Sequence, residues 1–422
     1  MTLPGILDGI KVIEFAQNAA VPECGRILAG MGADVVKVEP PEGDAMRRMA
    51  TLAPHESKAY ALINPGKRAM ILDLKSPRAR EVSDALLGWA DVVLTGFKQS
   101  DLARYGIDWD HARTVNPRLI HLTHTPFGPN GPDANEGGYD VLVQGLSGQG
   151  FIMNRSENGV PMPTRPAVND FGTGVCSALG VVAALRHRDL TGDGQRVDTA
   201  LLATALTLST PMISYFEAVD RDPVAEAQHD LAALRDAGAD FDVQRELYES
   251  RVQAGQGSFR LYFRHYQTAD GLLSVGGLSK GLLAKFHEAT GIPRPTSVID
   301  HTSAELDAIV EQAEHTFASR TTDEWLAILR AVGYPCQRYN SPMDAVHDPQ
   351  IRANDFIVDL EHPAFGSYSA VGMPVQFSQS PASVRGPSPG FGEHTRAVLA
   401  QAGLEPGIIE SLLDEGTIGA GD

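Results

Sequence analysis

The chain has 422 residues and a formal net charge of −18 at pH 7, which argues against binding to nucleic acids or anionic membranes because both require a basic face. Hydrophobic residues make up 43% and charged residues 21% of the chain, as in a globular protein long enough for two or more cores. No apolar run reaches the ~18 residues of a membrane span, and residues 1–10 do not resemble a signal peptide. We therefore expect a cytoplasmic protein.

The cysteine and histidine patterns argue against a disulfide framework and a metal site. Cys24, Cys176 and Cys336 are scattered and form no Cys-x-x-Cys pair. The histidines form no His-Glu-x-x-His array. We expect free, mostly buried thiols and no bound metal.

The lysines concentrate in the first quarter of the chain, which indicates a place for a small anionic ligand. Only Lys280 and Lys285 lie further on. A phosphate-bearing ligand would be expected near the others, which are Lys11, Lys37, Lys58, Lys67, Lys75 and Lys98.

The first 125 residues show apolar runs that alternate with helical patterns. Residues Lys11–Phe15 and Ala33–Glu39 are predicted strands, and Pro22–Met31 is the predicted helix between them. Parallel strands need such a crossover helix. The pattern repeats with strands at Ala69–Leu74, Asp91–Leu94 and Leu119–His124, and with a helix that has Ser76 as its cap and Pro77 at its first position. This order predicts a Rossmann-like open parallel sheet with helices on both faces.

Nucleotide-binding signatures are missing from this predicted sheet. Gly30 and Gly32 come at the end of a helix, whereas a dinucleotide fingerprint lies between the first strand and its helix. The chain has no Walker loop and no Gly-x-Ser-x-Gly elbow. We therefore expect a scaffold for chemistry other than that of NAD, ATP or ordinary serine hydrolases.

The glycine-rich stretch Gly137–Leu185 centres on Asp170. Gly172 and Gly174 follow it and would let a substrate approach the backbone. A carboxylate just before a helix feels the positive end of the helix dipole and should be ionised at neutral pH. Asp170 therefore has two interpretations, as a helix cap or as a functional carboxylate. The buried helix itself is predicted from the helical spacing of Val175, Leu179, Val182 and Leu185.

The second half of the chain is less regular. Thr191–Gln195 is a predicted turn, and Arg196–Leu208 leads into an apolar segment. Glu217–Gly257 is acidic and poor in large apolar residues, so we expect an exposed, partly helical linker with a mobile end at Gly255 and Gly257. In the remainder we expect a strand at Leu272–Val275, helices at Leu282–Thr290, Asp323–Val332, Glu393–Ala402 and Ile408–Glu415, and no regular element in the proline-rich segment Pro374–Pro389.

Several motifs, in their order and spacing, resemble the class III (CaiB/BaiF-type) CoA-transferases. This family includes carnitine CoA-transferase and formyl-CoA transferase, and the α-methylacyl-CoA racemases are its relatives. The match covers nearly the whole chain. The motifs include Leu7-Asp-Gly-Ile-Lys-Val-Ile-Glu-Phe, Gly32-Ala-Asp-Val-Val-Lys-Val-Glu-Pro-Pro, Asn116-Pro-Arg-Leu-Ile, Gly138-Tyr-Asp, Asn169-Asp-Phe-Gly-Thr-Gly, Thr191-Gly-Asp-Gly-Gln and Gly392-Glu-His-Thr.

The resemblance implies an interlocked homodimer with a large Rossmann-like CoA-binding domain and a small α/β domain. It divides the chain into a large domain at 1–205, a linker or acidic insertion at 206–258, a small domain at 259–342, and a return segment at 343–422 that completes the large domain. The substrates would be an acyl-CoA and a carboxylic acid, with no tightly bound cofactor.

The resemblance also implies site residues. Asp170 would be the nucleophile, passing through an aspartyl anhydride and an aspartyl-CoA thioester. Backbone N–H groups around Gly172, or from a glycine loop at Gly255 and Gly257, would hold the oxyanion. The positions that match the family's CoA contacts are Ala19, Ala20, Leu72, Lys75, Phe97, Lys98, Arg104, Tyr139 and Asp140, with Gln17 as a possible substitute where Ala19 and Pro40 replace a polar and a basic residue.

Two alternatives stay open. A racemase needs a second acid/base group opposite the aspartate, and Tyr139, with an ordinary pKa near ~10, is a poor base at neutral pH. A non-catalytic CoA-binding subunit of a heteromer would not need Asp170. The donor and acceptor acids do not follow from the motifs.

Overall fold

The strands form one large sheet and several small ones. The computed structural model describes residues 4–252, 259–296 and 304–421. The strands are β1 (Lys11–Phe15), β2 (Asp34–Glu39), β3 (Thr51–Ala53), β4 (Glu56–Ser57), β5 (Arg68–Leu72), β6 (Val92–Thr95), β7 (Ile120–Thr125), β8 (Ser156–Glu157), β9 (Val160–Pro161), β10 (Gln195–Ala200), β11 (Phe263–Gln267), β12 (Leu272–Gly276), β13 (Cys336–Arg338), β14 (Ile357–His362), β15 (Gly366–Val371) and β16 (Ile418–Gly419).

The helices alternate with these strands in the first 200 residues and dominate the middle of the chain. They are α1 (Ala20–Gly30), α2 (Lys58–Ile63), α3 (Ala79–Trp89), α4 (Gln99–Tyr105), α5 (Trp109–Val115), α6 (Asp140–Leu146), α7 (Gln149–Met153), α8 (Val168–Thr191), α9 (Leu201–Leu208), α10 (Thr210–Ile213), α11 (Glu217–Asp236), α12 (Phe241–Val252), α13 (Phe259–Tyr262), α14 (Lys280–Thr290), α15 (Ala304–Ala318), α16 (Thr322–Ala331), α17 (Pro342–Ala345), α18 (Pro349–Ala353), α19 (Thr395–Gln401) and α20 (Pro406–Asp414).

The large sheet has seven strands in the order β10-β7-β6-β1-β2-β5-β16. All neighbours are parallel except β16, which runs antiparallel to β5. The chain moves outward from β1 through β2 and β5 and then returns to the other side of β1 at β6. The loops after β1 and β6 therefore diverge, and this is where open α/β sheets leave a ligand crevice.

Helices cover both faces of the sheet, which explains the nearly continuous apolar runs of β1 and β6. On one face, Leu86 of α3 and Val398 of α19 belong to the core. On the other face, Ile27 of α1 and Val181 of α8 do so. The predicted α/β class with a parallel-dominated sheet is confirmed.

A buried ionic network lies beneath the ends of β1 and β2. Lys37 Nζ donates to Glu14 Oε1 at 2.9 Å and to the Ala16 carbonyl at 2.8 Å, and it lies 2.8 Å from Asp44 Oδ2. Lys67 Nζ donates to Glu14 Oε2 at 2.8 Å. Two cations and two anions thus neutralise one another, as buried charges must.

The acidic segment was predicted to be exposed and partly helical, and it is largely exposed and helical in the structure. It forms two helices, α11 and α12, and Arg251 of α12 pairs with Asp230 of α11 at 2.6 Å. By its contacts the chain divides into one unit of Met1–Arg155, Pro161–Ser214 and Pro349–Asp422 and a second of Ser156–Val160 and Tyr215–Asp348. By these contacts both helices belong to the second unit, and the division of the chain made from the sequence stays a prediction.

The second unit has its own core. Its sheet has the order β11-β12-β13 with antiparallel pairs. Phe286 of α14, Phe317 of α15 and Trp325 of α16 pack against it. The predicted strand and two of these helices are present within two residues of their predicted ends, whereas α15 was not predicted.

The positions of the helix ends were predicted less accurately than the existence of the helices. The helix expected at Ser76 begins at Ala79, because the Ser76 hydroxyl bonds to the Thr417 hydroxyl at 2.6 Å and a turn precedes the helix. Strand β16 and the hairpin β14–β15 were not predicted. No regular element occurs between Pro374 and Pro389, as expected.

Helix α8 is where the predicted burial was wrong. Leu185 is buried, but Val175, Leu179 and Val182 are 49%, 71% and 37% exposed. Cys176 is also exposed, contrary to the expectation of mostly buried thiols. By length and mean hydropathy α8 is the one helix among the described residues that could cross a membrane, although 44% of the relevant window is buried in the protein.

Candidate functional site

A cleft of about 560 Å³ opens at the point where the strand order reverses. We call it the strand-end cleft. Loops after β1, β6 and β7 form its floor, and the segment before α6 and the first turn of α8 form its walls. Its lining includes Gln17, Asn18, Ala19, Ala20, Phe97, Lys98, His124, Gly137, Gly138, Tyr139 and Asp170.

The loop after β1 is held in an unusual conformation. Asn18 has a φ of 66°, a left-handed value that few residues other than glycine adopt. Its N–H donates to Asp44 Oδ1 at 3.4 Å, and Lys37 of the buried network holds the neighbouring Ala16 carbonyl. The network therefore fixes the backbone that presents Gln17 to the cleft.

Asp170 lies in the first turn of α8, at the third helical residue, and is neither before the helix nor its cap. Ala167 is the cap, and no side-chain hydrogen bond is made there. Asp140 supplies the missing acceptor instead: the N–H groups of Asn169 and Asp170 donate to Asp140 Oδ2 at 3.1 and 3.4 Å. The capping interpretation of Asp170 is therefore wrong, because another carboxylate satisfies this helix end.

The surroundings of Asp170 weaken its acidity. Partial burial, and then the nearby carboxylate of Asp140, raise the pKa of Asp170 to about 6. The carboxylate is thus mainly ionised at neutral pH, as expected, but poorly solvated. Such a group is a better nucleophile than an exposed aspartate because less water must be removed before it reacts.

His124 is a cleft residue that sequence reasoning missed. It is the last residue but one of β7, and burial lowers its pKa to about 4, so the imidazole is neutral. Its Nδ1 lies 3.5 Å from the Thr199 hydroxyl, which lies 3.0 Å from the Ser177 hydroxyl. A polar residue at the end of a buried strand was the available signal, since parallel strands converge on the ligand crevice.

The structure brings six of the ten predicted site residues into the cleft: Ala19, Ala20, Phe97, Lys98, Tyr139 and Asp170. Leu72, Lys75 and Phe97 line a second cavity of about 210 Å³, which we call the side cavity. Gln17 and Phe97 line both cavities. The predicted residues thus fall mainly around two neighbouring spaces.

Arg104 and Asp140 line neither space. Arg104 is exposed, bonds to the Tyr105 hydroxyl at 2.8 Å, and pairs with Asp101 at 2.8 Å. Asp140 is buried, with Gln144 Nε2 and Asn169 Nδ2 donating to its Oδ1 at 2.7 and 2.9 Å. Its observed contacts make it a residue that positions α8, and its role as a CoA contact stays a prediction.

Two of the six early lysines are unavailable to a phosphate. Lys37 and Lys67 are buried in the ionic network, where burial lowers the pKa of Lys67 to about 8. Lys75 and Lys98 are exposed at the side cavity and the strand-end cleft. Lys98 and Lys75 thus lie beside the two cavities, and a phosphate-bearing ligand near the early lysines stays a prediction.

The glycines after Asp170 serve packing. A Cβ on Gly174 would lie 2.5 Å from Glu23 Cγ of α1, and one on Gly172 would lie 2.9 Å from Thr204 Cγ2 of α9. The N–H of Gly172 itself lies inside α8, where helical hydrogen bonding engages it, and the role of N–H groups around Gly172 in holding an oxyanion stays a prediction. Gly255 and Gly257, the other candidates, lie outside the described residues.

Gly137 and Gly138 offer a different pair of backbone donors. Both line the cleft, and within the described ranges their N–H groups donate to no protein acceptor. The side chain of Lys98 crosses Gly137, since a Cβ there would lie 3.3 Å from Lys98 Cε. Across residues 4–252, 259–296 and 304–421, no cluster of three or more His, Cys, Asp or Glu is placed to hold a metal ion.

Nearly the whole chain is similar to known proteins. A family model described as CoA-transferase family III matches residues 7–395. The chain belongs to CoA-transferase family III. The resemblance seen in the motifs is thereby confirmed, and family membership makes CoA thioesters its substrates and CoA transfer its class of reaction.

This family III chain is 32% identical over 412 residues to the succinate–glutarate CoA-transferase of Agrobacterium fabrum, covering 94% of this chain and 95% of that protein. It is 29% identical over 424 residues to a formyl-CoA:oxalate CoA-transferase of Rhodopseudomonas palustris, with 98% and 97% covered. A crystal structure of a CaiB/BaiF family protein from Brucella suis matches with a TM-score of 0.72 and 26% identity, covering 94% of this chain and all of that one.

Proposed function

We propose that the chain moves CoA from an acyl-CoA donor to a free carboxylic acid, with Asp170 as the nucleophile. The observation that carries this proposal is a half-buried carboxylate in the wall of a cleft at the sheet's switch point, with its pKa raised to about 6. Curated relatives that transfer CoA between carboxylic acids over nearly the same length support it.

The first half-reaction transfers CoA to the enzyme. An Asp170 Oδ attacks the thioester carbon, and the C–S bond breaks. CoA departs as its thiolate, and the acyl group stays on Asp170 as a mixed anhydride. The thiolate then attacks Asp170 Cγ, the bond from Cγ to the bridging oxygen breaks, and the donor acid leaves as its carboxylate. Asp170 now carries CoA as a thioester, so one difficult exchange is divided into easier steps.

The second half-reaction is the reverse with a new acid. The acceptor carboxylate attacks Asp170 Cγ, CoA thiolate leaves, and an anhydride forms again. Attack of the thiolate on the acceptor's acyl carbon releases the new acyl-CoA and restores the Asp170 carboxylate. No net proton is consumed, so the enzyme needs no general acid for the overall exchange.

Each addition places negative charge on a carbonyl oxygen, which requires donors already in position. Gly137 and Gly138 line the same cleft as Asp170, and their N–H groups have no protein acceptor among the described residues. We assign them this role in place of Gly172. His124, neutral and in the cleft lining, is a further hydrogen-bonding group for the acyl portion.

The CoA would extend from the strand-end cleft into the side cavity. Gln17 and Phe97 line both spaces, and the exposed cations Lys98 and Lys75 stand one beside each. Ammonium groups beside both spaces are suited to the pyrophosphate and the ribose phosphate of CoA, which supports this proposal. The adenine end has no assigned contact.

The decisive experiment is peptide mass spectrometry after incubation with succinyl-CoA, acetyl-CoA or glutaryl-CoA. Wild type should carry a CoA-sized adduct on the Asp170 peptide, and hydroxylamine should convert it to a hydroxamate. Asp170→Asn should show neither and should lose at least about 10³-fold in transfer rate, as nucleophile removal generally does.

Asp189→Asn is the matched control, because Asp189 is an exposed carboxylate near the other end of α8. It should behave as wild type. Absence of an adduct with every donor, together with deuterium uptake at the α-carbon of a 2-methylacyl-CoA, would replace the transferase proposal with the racemase alternative. Adduct formation only after a second chain is added would favour the heteromer.

A further inference from the structure

The loop that carries Lys75 lies against the last strand of the large sheet. Residues 73–76 follow β5 and lead towards α3, and β16 pairs with β5 through Ile418 and Leu72. Thr417 directly precedes β16 and is 1% exposed. It contacts the loop although 341 residues separate it from Ser76 in the chain.

Helix α20 determines where Thr417 is placed. Gly416 has a φ of 70°, a left-handed value typical of the residue that follows a helix, and its N–H donates to the Leu413 carbonyl at 3.0 Å. The N–H of Thr417 donates to the Leu412 carbonyl at 2.9 Å. These two bonds form a Schellman motif. The backbone of Thr417 is therefore fixed by the helix before it and by β16 after it.

Thr417 makes two hydrogen bonds to the loop. Its carbonyl accepts from the Asp73 N–H at 2.9 Å, and its hydroxyl lies 2.6 Å from the Ser76 hydroxyl. Asp73 and Ser76 are the residues on either side of Leu74 and Lys75. Thr417 thus holds both ends of the segment that carries Lys75.

The loop is also closed by its own hydrogen bonds. Asp73 Oδ1 accepts from the Lys75 N–H at 2.9 Å, and the Asp73 carbonyl accepts from the Ser76 N–H at 3.0 Å. An aspartate that bonds to the backbone two residues further on stabilises a turn. Because Thr417 bonds to both Asp73 and Ser76, it holds this turn in place against the sheet.

The Lys75 ammonium group is available to a ligand. Lys75 is exposed and lines the side cavity. Among the described residues its Nζ makes neither an ion pair nor a hydrogen bond, in contrast to Nζ of the buried Lys37 and Lys67. A lysine binds phosphate as a point charge, so this group can serve an anionic ligand in the side cavity.

The side cavity has only this one cation in its described lining, together with three carboxylates. Glu39 is paired with Arg47 at 2.7 Å, Asp73 accepts from the loop, and Glu42 is exposed. Binding of an anion in the side cavity therefore depends on where the Lys75 ammonium group is held.

We propose that Thr417 is a positioning residue for CoA, because it holds the loop of residues 73–76 so that Lys75 binds a phosphate group of CoA in the side cavity. Affinity is gained when the backbone that carries a binding group is ordered before the ligand arrives. The inference rests on the proposed function only in taking CoA as the ligand of the side cavity.

The test is calorimetric titration of the full chain with CoA, which has no acyl group and so does not enter the transfer reaction. Thr417→Val keeps the shape of the side chain but lacks the hydroxyl, and it should bind CoA about three- to tenfold more weakly, as for the loss of one uncharged hydrogen bond. Thr417→Ser keeps the hydroxyl and should bind as wild type does. Ser76→Ala removes the other partner of the same bond and should weaken binding to a similar extent.

A double variant separates positioning from a general loss of structure. Lys75→Ala should weaken CoA binding by about tenfold or more, as for a hydrogen bond to a charged group. Adding Thr417→Val to Lys75→Ala should weaken it no further, because both substitutions act through one ammonium group.

Thr322→Val is the matched control. Thr322 is also 1% exposed, and its hydroxyl lies 2.8 Å from the Thr268 hydroxyl in the second unit. This substitution should lower the melting temperature but leave the affinity for CoA unchanged. A loss of CoA affinity in Thr322→Val as large as that in Thr417→Val would overturn the proposal.

Two further results would also overturn it. One is equal affinity of Thr417→Val and wild type for CoA, or no CoA binding by wild type. The other is independent, multiplicative effects of Thr417→Val and Lys75→Ala. If Thr417→Val does not fold, Ser76→Ala alone and combined with Lys75→Ala decides.

Dephospho-CoA shows which phosphate Lys75 binds. The weaker binding of Lys75→Ala should disappear with this probe if the ribose phosphate is the partner and persist if the pyrophosphate is. The proposed function fails separately from this inference: Asp170→Asn should abolish transfer yet keep the effect of Thr417→Val on CoA binding. An enzyme that transfers CoA through Asp170 without any effect of Thr417→Val would lose this inference alone.

Discussion

Asp170 illustrates how a functional carboxylate can lower the stability of its own protein. Its pKa, raised to about 6 by burial and by Asp140, means that the native state binds a proton more tightly than the unfolded chain does. Native-state stability from this group is therefore complete below the unfolded pKa of about 3.8 and is lost as pH rises through 6. At neutral pH the ionised Asp170 side chain therefore lowers the free energy of unfolding.

Asp170→Asn should therefore stabilise the protein at pH 7.5, by about 1 to 3 kcal/mol for a shift of this size. The gain should shrink through the range from pH 6 to pH 4, where the native carboxyl becomes neutral in wild type too. Urea unfolding followed by circular dichroism at several pH values would measure it. Asp189→Asn should show no such gain, and a pH-independent effect of Asp170→Asn would contradict the assigned cause.

The residues that shape the cleft were only partly predictable. Asp170 was found from its motif, but its raised pKa comes first from burial and then from Asp140, which is 30 residues away. His124 was missed, although a polar residue near the carboxyl end of a buried parallel strand was a usable signal. The distribution of lysines did not show that Lys37 is buried and unavailable to a ligand, because its ion pairs are made with Glu14 and Asp44 from two other segments.

At the scale of the element, the contact between α1 and α8 decides where Asp170 is placed. Gly174 brings the two helices together, because a side chain there would meet Glu23 and the Ala20 carbonyl. Glu23 is itself held by Arg26 in a buried pair at 2.7 Å. A rigid neighbour of this kind leaves little room for relaxation.

Gly174→Ala should accordingly destabilise the protein by about 1 to 3 kcal/mol, the usual range for overpacking. It should also reduce transfer by moving the first turn of α8. Gly145→Ala is the matched control, since a Cβ at that helical position has no neighbour within 4 Å. That control should be neutral or stabilising by up to about 1 kcal/mol. Thermal unfolding and transfer rates would give both readings, and equal effects of the two substitutions would refute the packing argument.

At the scale of the whole molecule, α8 presents an apolar stripe to solvent. Phe171, Val175, Leu179 and Val182 are 40%, 49%, 71% and 37% exposed and recur at helical spacing. Contiguous apolar surface of this kind marks an interaction site. The homodimer implied by the family resemblance is our proposed occupant, and its interlocked form stays a proposal.

Leu179→Lys should then shift the protein from dimer to monomer at micromolar concentration, because a charge would be buried without a partner. Light scattering after size-exclusion chromatography would measure the mass, and circular dichroism would show whether the fold survives. Val219→Lys is the control, since Val219 is 68% exposed on α11. An unchanged mass for Leu179→Lys would exclude the α8 stripe from the interface.

The α/β class, the family and the candidate carboxylate Asp170 could all be predicted from the sequence alone. The same is true of the chain order of the segments that form the parallel strands. These rest on local information: short-range apolar periodicity, turn residues and motif spacing, which need no distant partner to be recognised. Only the tertiary structure decided which face of α8 is buried, that Asp140 completes its first turn, and that β16 closes one sheet edge. These features depend on contacts between segments that lie from 30 to more than 300 residues apart in the chain, which no local pattern encodes.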